Sequence, residues 1–363
     1  MNLLRHFFIL ILLLSSSSSW AISVLFINPG KESEAFWVNV SQSMAAAAQN
    51  LGMELRVVYA ERDHLRMPSL LQQTLDQGPK PDYLIVVNER QMAPPLLAIA
   101  ERAQIPTLLT LNDLTPEQIK QFGAPRTHFK YWLGSVFPDN QQAGYLTAKA
   151  LLTRLVQTKK PGANGLYQLL AIAGDKSTPA SQDRVLGLQR ALKEFPNVEL
   201  KQIVYGNWRR GLAAEQMNVL HDRYPDVAAV WCANDLMAFG VISSLEQRRG
   251  PRKEVFVSAI NYSNDAISMI KNGRLTALSA GHFMVGAWSI VLLYDYAHGR
   301  DFGRQQGTQM QLPLLSLVSV SKAGLFAERL SPEGVQKINF TRYSKVLNPK
   351  IKQYDFSLES LLQ

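Results

Sequence analysis

The chain has 363 residues, of which 47% are hydrophobic and 18% charged, so its composition is that of a globular and not a disordered protein. This length is sufficient for two domains, each with its own core. The net charge of +9 could indicate nucleic-acid binding. However, the basic residues are scattered, apart from Lys159-Lys160 and residues 248–253, and no helix-turn-helix or Cys/His finger accompanies them. We therefore expect a solvated basic surface and no nucleic-acid partner.

Residues 1–21 have the pattern of an export signal. Arg5 precedes an apolar stretch from Phe7 to Leu14, and a serine run then ends in Ser19-Trp20-Ala21, a small-x-small cleavage site. The apolar stretch is far shorter than the roughly 20 residues that span a bilayer. The alternative is an uncleaved anchor. We expect cleavage after a signal peptide of 21 residues, and we expect the single cysteine, Cys232, to be a buried thiol without a disulfide.

The rest of the chain alternates between short apolar strands and amphipathic helices. Its first strand, 22–28, is followed by a helix whose apolar residues recur at spacings of three and four from Trp37 to Leu51, and Gly52 is placed to end that helix. Further strands are predicted at 55–59, 83–88, 105–111, 131–136, 166–174, 199–205 and 227–231. Further helices are predicted at 94–103, 180–194, 212–223 and 236–245. This alternation predicts parallel βαβ units with helices on both faces of each sheet.

The alternation occurs twice, before and after about residue 137, which predicts two doubly wound, Rossmann-like α/β domains. Such sheets bind ligands beyond the carboxyl ends of their strands. The residues that follow the predicted strands are polar, rich in amides and partly aromatic. They contain no catalytic constellation, and the sequence has no Gly-x-Ser-x-Gly, His-Glu-x-x-His, P-loop or Gly-x-Gly-x-x-Gly motif. We therefore expect a binding protein and not an enzyme, without catalytic residues, cofactor or metal.

One segment carries a specific resemblance. "WCANDLMAFGVISSL", residues 231–245, resembles the Asn-Asp-x-Met-Ala-x-Gly segment of the type I periplasmic sugar-binding proteins, which the ligand-binding domains of lac repressor-type regulators share. Five more segments resemble other parts of the family pattern in the same order, namely 26–55, 104–113, 133–151, 173–192 and 260–281. The resemblance runs from about Ile22 to Val320. The export signal and the absence of a DNA-binding headpiece favour the periplasmic branch.

The resemblance implies two α/β domains joined by a hinge of three strands. The expected first domain takes residues 22–136 plus 282–314, and the second takes residues 137–281 plus 315–363. Simple family members end near the third hinge strand, whereas this chain continues for about forty residues. The aromatic and apolar residues of that C-terminal extension predict that it packs against the protein.

The resemblance also implies a set of ligand-binding residues. Phe36 and Trp37 correspond to the aromatic residues of the first domain, although the spacing of Trp37 fits core packing equally well. Arg184, in an Arg-x-x-Gly motif, resembles the arginine that hydrogen-bonds the ligand. Asn234 matches the family's ligand-binding asparagine, and we expect Asp235 to cap the following helix. Trp208 is expected either to cover the ligand or to pack in the core.

Three positions depart from the family pattern. Asn261 stands where an Asp is usual, and Gly281 stands where a Gln is usual, with His282 next to it. His282 could replace the Gln or lie at the surface near the hinge. The Ile-Pro strand usually ends in Asp-Arg, but here it ends in Leu111, Asn112 and Asp113, so the register of the last two is open. We include Asn112, Asp113, Asn261 and His282 in the expected site.

The expected function is capture of a small polar ligand, most simply a carbohydrate, by a monomeric periplasmic protein that delivers it to an ABC-type permease. Amides, carboxylates and Arg suit sugar hydroxyls, and aromatic rings suit the apolar sugar face. The alternative is a receptor similar to the autoinducer-2 receptors, which presents its ligand-bound form to a membrane kinase or cyclase. An exported enzyme is the third possibility, and turnover of a bound sugar would support it.

Overall fold

The computed structural model describes residues 21–248 and 254–362. The predicted signal peptide therefore lies outside the described residues, except for Ala21. No helix within the described ranges is long and apolar enough to cross a membrane.

Two six-stranded sheets form the framework. The first contains β1 (Ser23–Asn28), β2 (Glu54–Tyr59), β3 (Tyr83–Val86), β4 (Thr107–Thr110), β5 (Trp132–Pro138) and β11 (Gln309–Leu312). The second contains β6 (Tyr167–Ala173), β7 (Val198–Tyr205), β8 (Val227–Cys232), β9 (Phe256–Ile260), β10 (Ala277–Ala280) and β12 (Ser316–Leu317). The strand orders are β11-β5-β4-β3-β1-β2 and β12-β10-β9-β8-β6-β7. Every pairing is parallel except that of β12, which runs antiparallel to β10.

Helices connect the strands and cover the sheets. In the first half they are α1 (Ala35–Leu51), α2 (Met67–Gln77), α3 (Ala93–Ala103) and α4 (Pro116–Phe122). In the second half they are α5 (Asn140–Thr158), α6 (Pro179–Leu192), α7 (Arg210–Arg223), α8 (Asp235–Gln247) and α9 (Asn264–Lys271). The remaining helices are α10 (Val285–Ala297), α11 (Gly303–Gln306), α12 (Ala323–Leu330), α13 (Pro332–Gln336) and α14 (Leu358–Leu362). Two predominantly parallel sheets covered by helices confirm the predicted α/β fold class.

The central strands are buried on both faces. Phe26 and Ile27 are neighbours in β1, so their side chains point to opposite sides of the sheet. Both are fully buried, and each belongs to a different cluster of packed apolar residues. This double burial explains why the strands read as continuous apolar runs.

The predicted end of α1 is confirmed. Gly52 adopts a left-handed conformation with φ of 67°, and its N–H donates to the carbonyl oxygens of Ala48 and Gln49. Glycine adopts this conformation without the steric cost that a Cβ would add. The chain can therefore turn directly into β2.

The chain passes between the two sheets three times, after β5, after β10 and after β11. This topology places the third passage just before β12. The detailed domain bounds remain predictions. The contacts of residues 315–362 show, however, that the extension touches elements of both halves: α12 packs against α9, and α13 packs against α1.

The extension is anchored on α10. The Trp288 ring contacts the rings of Phe340, Tyr343 and Phe356, and it is stacked on Phe356 at a centroid distance of 4.6 Å. Nearer the C-terminal end of the same helix, the buried carboxylate of Asp295 accepts several hydrogen bonds from the extension. These hydrogen bonds offset the free-energy cost of burying the carboxylate. The donors are the Ser344 hydroxyl, the Lys345 N–H at 2.6 Å, the Val346 N–H at 3.3 Å and the Tyr354 hydroxyl at 2.8 Å.

Removal of this carboxylate should destabilise the protein. We expect Asp295→Ala to lower the free energy of unfolding by about 3 kcal/mol, because several buried donors lose their acceptor at once. Urea unfolding provides the measurement, with Asp355→Ala, an exposed carboxylate in the same segment, as the control. Equal stability of the two variants would contradict this account of the anchor.

Candidate ligand-binding site

A cavity of about 470 Å³ lies between the carboxyl ends of the strands of both sheets. The lining residues are Glu34, Phe36, Trp37, Arg62, Glu89, Leu111, Asn112, Pro138, Asn140, Thr178, Ala180, Arg184, Trp208, Asn234, Asn261 and His282. They follow strands of both sheets, as expected for a site in a crevice between doubly wound domains.

Eight of the nine predicted site residues line this cavity, and Asp113 does not. The Asp113 carboxylate instead accepts hydrogen bonds from the Ser135 hydroxyl at 2.6 Å, the Leu114 N–H and the Gln309 amide. Leu111 has a φ of 67°, so the chain turns sharply after β4. That turn directs Asn112 to the cavity and Asp113 away from it, which resolves the register left open by the sequence. Ligand contact by the other eight residues remains a prediction.

Arg184 is buried in the wall of the cavity, with 4% of its surface exposed. Its Nε donates to Asn140 Oδ1 at 2.9 Å, its Nη1 donates to the Ala233 carbonyl oxygen at 2.7 Å, and its Nη2 lies 3.1 Å from His282 Nε2. Desolvation lowers the pKa of Arg184 to about 10, which still leaves it protonated at neutral pH. Three of its five N–H groups are thus used by the protein, and two remain for a ligand.

His282 is fixed in one tautomer by Arg184. Burial, reinforced by the neighbouring Arg184 charge, lowers the pKa of His282 well below 6.5, so the ring is neutral. Because the guanidinium can only donate, His282 Nε2 must accept, and the ring proton must sit on Nδ1. That buried Nδ1–H has no acceptor among the described residues. The ring also stacks on Phe36, with centroids 4.8 Å apart.

Trp37 presents a second buried donor without an acceptor. Trp37 is buried, with only 3% of its surface exposed, and yet its indole Nε1–H has no acceptor among the described residues. The ring meets Phe36 edge-on at 5.1 Å and lies 5.7 Å from the Arg62 guanidinium carbon. Trp37 therefore packs in the core and also borders the cavity, and its contact with a ligand remains a prediction.

Trp208 forms part of the opposite wall. It is 8% exposed, and its indole N–H donates to Asp175 Oδ2 at 2.8 Å. Its ring lies 5.7 Å from the Arg184 guanidinium carbon. This hydrogen bond holds the indole ring in place at the cavity. Trp208 is therefore both packed in the core and part of the cavity wall.

The expected roles of Asn234 and Asp235 require a correction. The N-cap of α8 is Asn234, whose Oδ1 accepts from the Met237 N–H at 2.9 Å. Asp235 is the first residue of the helix, and its carboxylate accepts from Asn261 Nδ2 at 2.9 Å and from the Ser263 hydroxyl at 2.7 Å. Asp235 thus positions Asn261. Asn234 borders the cavity as well.

An ion-pair cluster at the cavity was not predicted. Arg62 donates from Nε to Glu34 Oε2 at 2.8 Å and from Nη1 to Glu89 Oε1 at 2.9 Å. Burial raises the pKa of Glu89 to about 7, and the charge of Arg62 opposes this rise. Glu89 follows the carboxyl end of β3, where sheets of this kind bind ligands. Its position in the sequence could therefore have identified it as a cavity residue. Arg62 lies in a turn with φ of 65°, a position that carries no such signal.

Hydrogen bonds cross the cleft between the two halves. Asn112 Oδ1 accepts from the Ala180 N–H at 3.0 Å, and Thr178 Oγ1 accepts from the Arg90 N–H at 3.3 Å. At another point, Asn39 Nδ2 donates to the Tyr262 carbonyl oxygen at 3.2 Å. The two halves are therefore in direct contact around the cavity.

Within the described part of the chain, no group of three or more His, Cys, Asp or Glu residues is arranged to hold a metal ion. Cys232 is buried, and desolvation raises the pKa of its thiol.

Comparison with known proteins agrees with this geometry. The family model for the periplasmic binding protein domain matches residues 24–301. The structure of a periplasmic sugar-binding protein from Pseudomonas fluorescens superposes with a TM-score of 0.83 and is 38% identical in sequence, covering 94% of this chain and 100% of that one.

Two curated relatives are more distant. The D-apiose import binding protein of Paraburkholderia graminis is 21% identical over 86% of this chain and 94% of its own length. The transcriptional repressor PurR of Vibrio cholerae is 24% identical over 62% of this chain. This chain covers 63% of that repressor's length, which is less than two thirds. Because the family model matches well over half of the chain, the protein belongs to the periplasmic binding protein domain family, with the two-domain fold of its type I members.

Proposed function

We propose that this protein is a periplasmic solute-binding protein that captures a carbohydrate in the cavity between its two halves. The observation that carries this proposal is that two residues lining the cavity, Trp37 and His282, each hold a buried donor, Nε1–H and Nδ1–H, with no acceptor among the described residues. Leaving a buried donor unpaired costs about 1–3 kcal/mol. A ligand with several oxygen acceptors would recover that cost.

The other walls suit the same class of ligand. The Asn234 amide and the two remaining N–H groups of Arg184 supply donors, and Glu34 and Glu89 supply acceptors for hydroxyl protons. The Phe36 ring, half-buried against His282, offers a flat apolar surface. Sugars combine hydroxyl groups with an apolar ring face, so they match both features.

The relatives support the same role. The structure at 38% identity is described as a sugar-binding periplasmic protein, and the apiose relative as an import binding protein. We propose a periplasmic location, binding without turnover, action as a monomer, and delivery of the ligand to the permease of an ABC-type importer. Loss of ligand uptake in cells that lack this protein would support transport. Unchanged uptake would favour the alternative, presentation of the bound form to a membrane sensor.

Calorimetric titration with a panel of aldoses, ketoses and polyols tests capture directly. At 100 times its dissociation constant, a specific ligand should add about 2.7 kcal/mol to the free energy of unfolding. Recovery of the ligand unchanged after prolonged incubation is expected for a binding protein, and its conversion would indicate an enzyme. Absence of binding by every member of the panel would contradict the proposal.

The indole donor of Trp37 can be tested by removing it alone. We expect Trp37→Phe to weaken sugar binding roughly tenfold, because the ligand loses one buried hydrogen bond. Trp288→Phe is the matched control, since Trp288 also has a buried unpartnered Nε1–H but contacts the C-terminal extension and not the cavity. Equal affinity of the two variants in calorimetry would show that the Trp37 donor does not contact the ligand.

Two substitutions separate the capping and binding roles of Asn234. Asn234→Ala should lower stability by about 1 kcal/mol through loss of the cap. It should also weaken binding about tenfold through loss of the amide. Asn234→Ser keeps a capping oxygen, so we expect near-native stability with the same loss of affinity. Native affinity in the Ser variant would mean that Asn234 is only a cap.

Glu89 should make stability depend on pH. Its folded-state pKa of about 7 lies above the ordinary value of 4.5, so the folded protein binds more protons than the unfolded chain between these values. The contribution of Glu89 to stability is therefore complete below about pH 4.5 and is lost as the pH rises through about 7. Glu89→Gln removes this titration.

Urea unfolding at pH 5 and pH 8 measures the effect. The wild type should lose at least about 1 kcal/mol more than Glu89→Gln over this interval. Glu215→Gln, at an exposed position, is expected to follow the wild type. Identical pH dependence in all three proteins would place the pKa of Glu89 near its ordinary value.

A further inference from the structure

A second, open chamber of about 1210 Å³ adjoins the ligand cavity. The two share four lining residues, Glu34, Arg62, Glu89 and Trp208. The Arg62 ion-pair cluster therefore lies where the two spaces meet, and we refer to the first as the inner cavity and to the second as the outer chamber. A substituent on a ligand held in the inner cavity could extend past this cluster into the outer chamber.

The outer chamber is strongly basic. Besides the shared residues, its lining comprises Lys31, His64, Arg90, Asn207, Arg209, Arg210, Gly211 and Leu236. Four of these carry a positive charge at neutral pH, whereas the two carboxylates of the lining, Glu34 and Glu89, are both bound to Arg62. The local charge is therefore positive after internal pairing.

None of the four cations pairs with a carboxylate of the described chain. Arg90 Nη2 lies 3.4 Å from the amide oxygen of Asn207, and Arg210 Nη2 donates to the Ser243 hydroxyl at 3.0 Å. Lys31 and Arg209 are exposed. The carboxylate of Asp175, whose charge acts on Arg62, is occupied by hydrogen bonds from Ser177, Thr178 and Trp208.

The backbone adds to this positive potential. Helix α7 begins at Arg210, and no side chain caps its first turn. The free N–H groups and the dipole at a helix start favour an anion. Gly211, in this first turn, lines the chamber directly. The helix start and the unpaired cations both favour an anion in this chamber. The chamber in turn adjoins the proposed sugar site.

We propose that the ligand is a carbohydrate with an anionic substituent, either a phosphate ester or a carboxylate. The sugar ring occupies the inner cavity, and the anionic group lies in the outer chamber against Arg209 and Arg210. This inference rests on the proposed function, because it assumes that the inner cavity holds the sugar. The shared chemistry is a negatively charged group that accepts charge-assisted hydrogen bonds.

The test uses matched neutral and anionic ligands. Glucose, galactose and ribose are compared with their terminal phosphate esters, glucose and galactose also with their uronic acids, and inorganic phosphate is included alone. Affinities are measured by calorimetry at 20 and 300 mM NaCl on the full mature protein. The variants are Arg209→Gln/Arg210→Gln and the control Arg154→Gln/Lys193→Gln, which removes the same charge at exposed positions of α5 and the end of α6.

We expect the anionic member of at least one pair to bind about tenfold more tightly than its neutral parent at low salt. That preference should shrink at high salt, because exposed charges are screened. It should disappear in the Arg209/Arg210 variant and persist in the control. Tighter binding of the phosphate ester or of the uronic acid would identify which anionic group the chamber accepts.

Neutral sugars that bind as tightly as their charged derivatives, with no effect of the Arg209/Arg210 variant, would overturn this inference and leave the proposed function intact. Inorganic phosphate that binds while neither a neutral sugar nor a sugar derivative does would overturn both, since the inner cavity would then hold no sugar.

Discussion

The burial of the Arg184 guanidinium determines the chemistry of the cleft. A charged group in this position requires hydrogen-bond partners, because desolvation without them is costly. Asn140, the Ala233 carbonyl oxygen and His282 supply those partners. These partners come from three separate parts of the chain, so a single side chain fixes the relative positions of the start of α5, the end of β8 and the passage after β10.

This network also determines which groups the cavity presents. Arg184 makes His282 Nε2 an acceptor and thereby leaves Nδ1–H as a donor without a partner. The stacking of Phe36 on the same imidazole then places an aromatic face beside this donor. A donor next to an apolar surface is the combination that a sugar ring with its hydroxyl groups requires. The unpaired donor of His282 thus follows from the hydrogen bonds that compensate the burial of Arg184.

The sequence was sufficient to predict the α/β architecture with helices on both faces of each sheet, since continuous apolar strands that alternate with amphipathic helices have few other solutions. The end of α1 at Gly52 was predictable because a left-handed residue is needed there. Eight of the cavity residues could also be identified in the sequence, because they follow predicted strands. Asp113 was misplaced, because the direction of a side chain after a strand depends on a local turn, here at Leu111, that the sequence pattern does not specify.

Two other features depended on tertiary contacts. Both Asn234 and Asp235 are suitable helix caps by type, and the choice between them is set by Asn261 and Ser263, which bind the Asp235 carboxylate from a different part of the chain. Likewise, the Glu34, Arg62 and Glu89 cluster joins segments after three different strands. Such long-range pairing leaves no local periodicity by which it could be recognised.

The protonation of His282 tests the central claim most directly. Nitrogen-15 NMR of the imidazole side chains, with His282 assigned through a His282→Gln variant, reports which ring nitrogen carries the proton. The account predicts a neutral ring with the proton on Nδ1, no titration of His282 between pH 6 and 8, and a shift of the Nδ1 resonance when sugar binds. A proton on Nε2, or titration near the ordinary histidine pKa of 6.5, would contradict it.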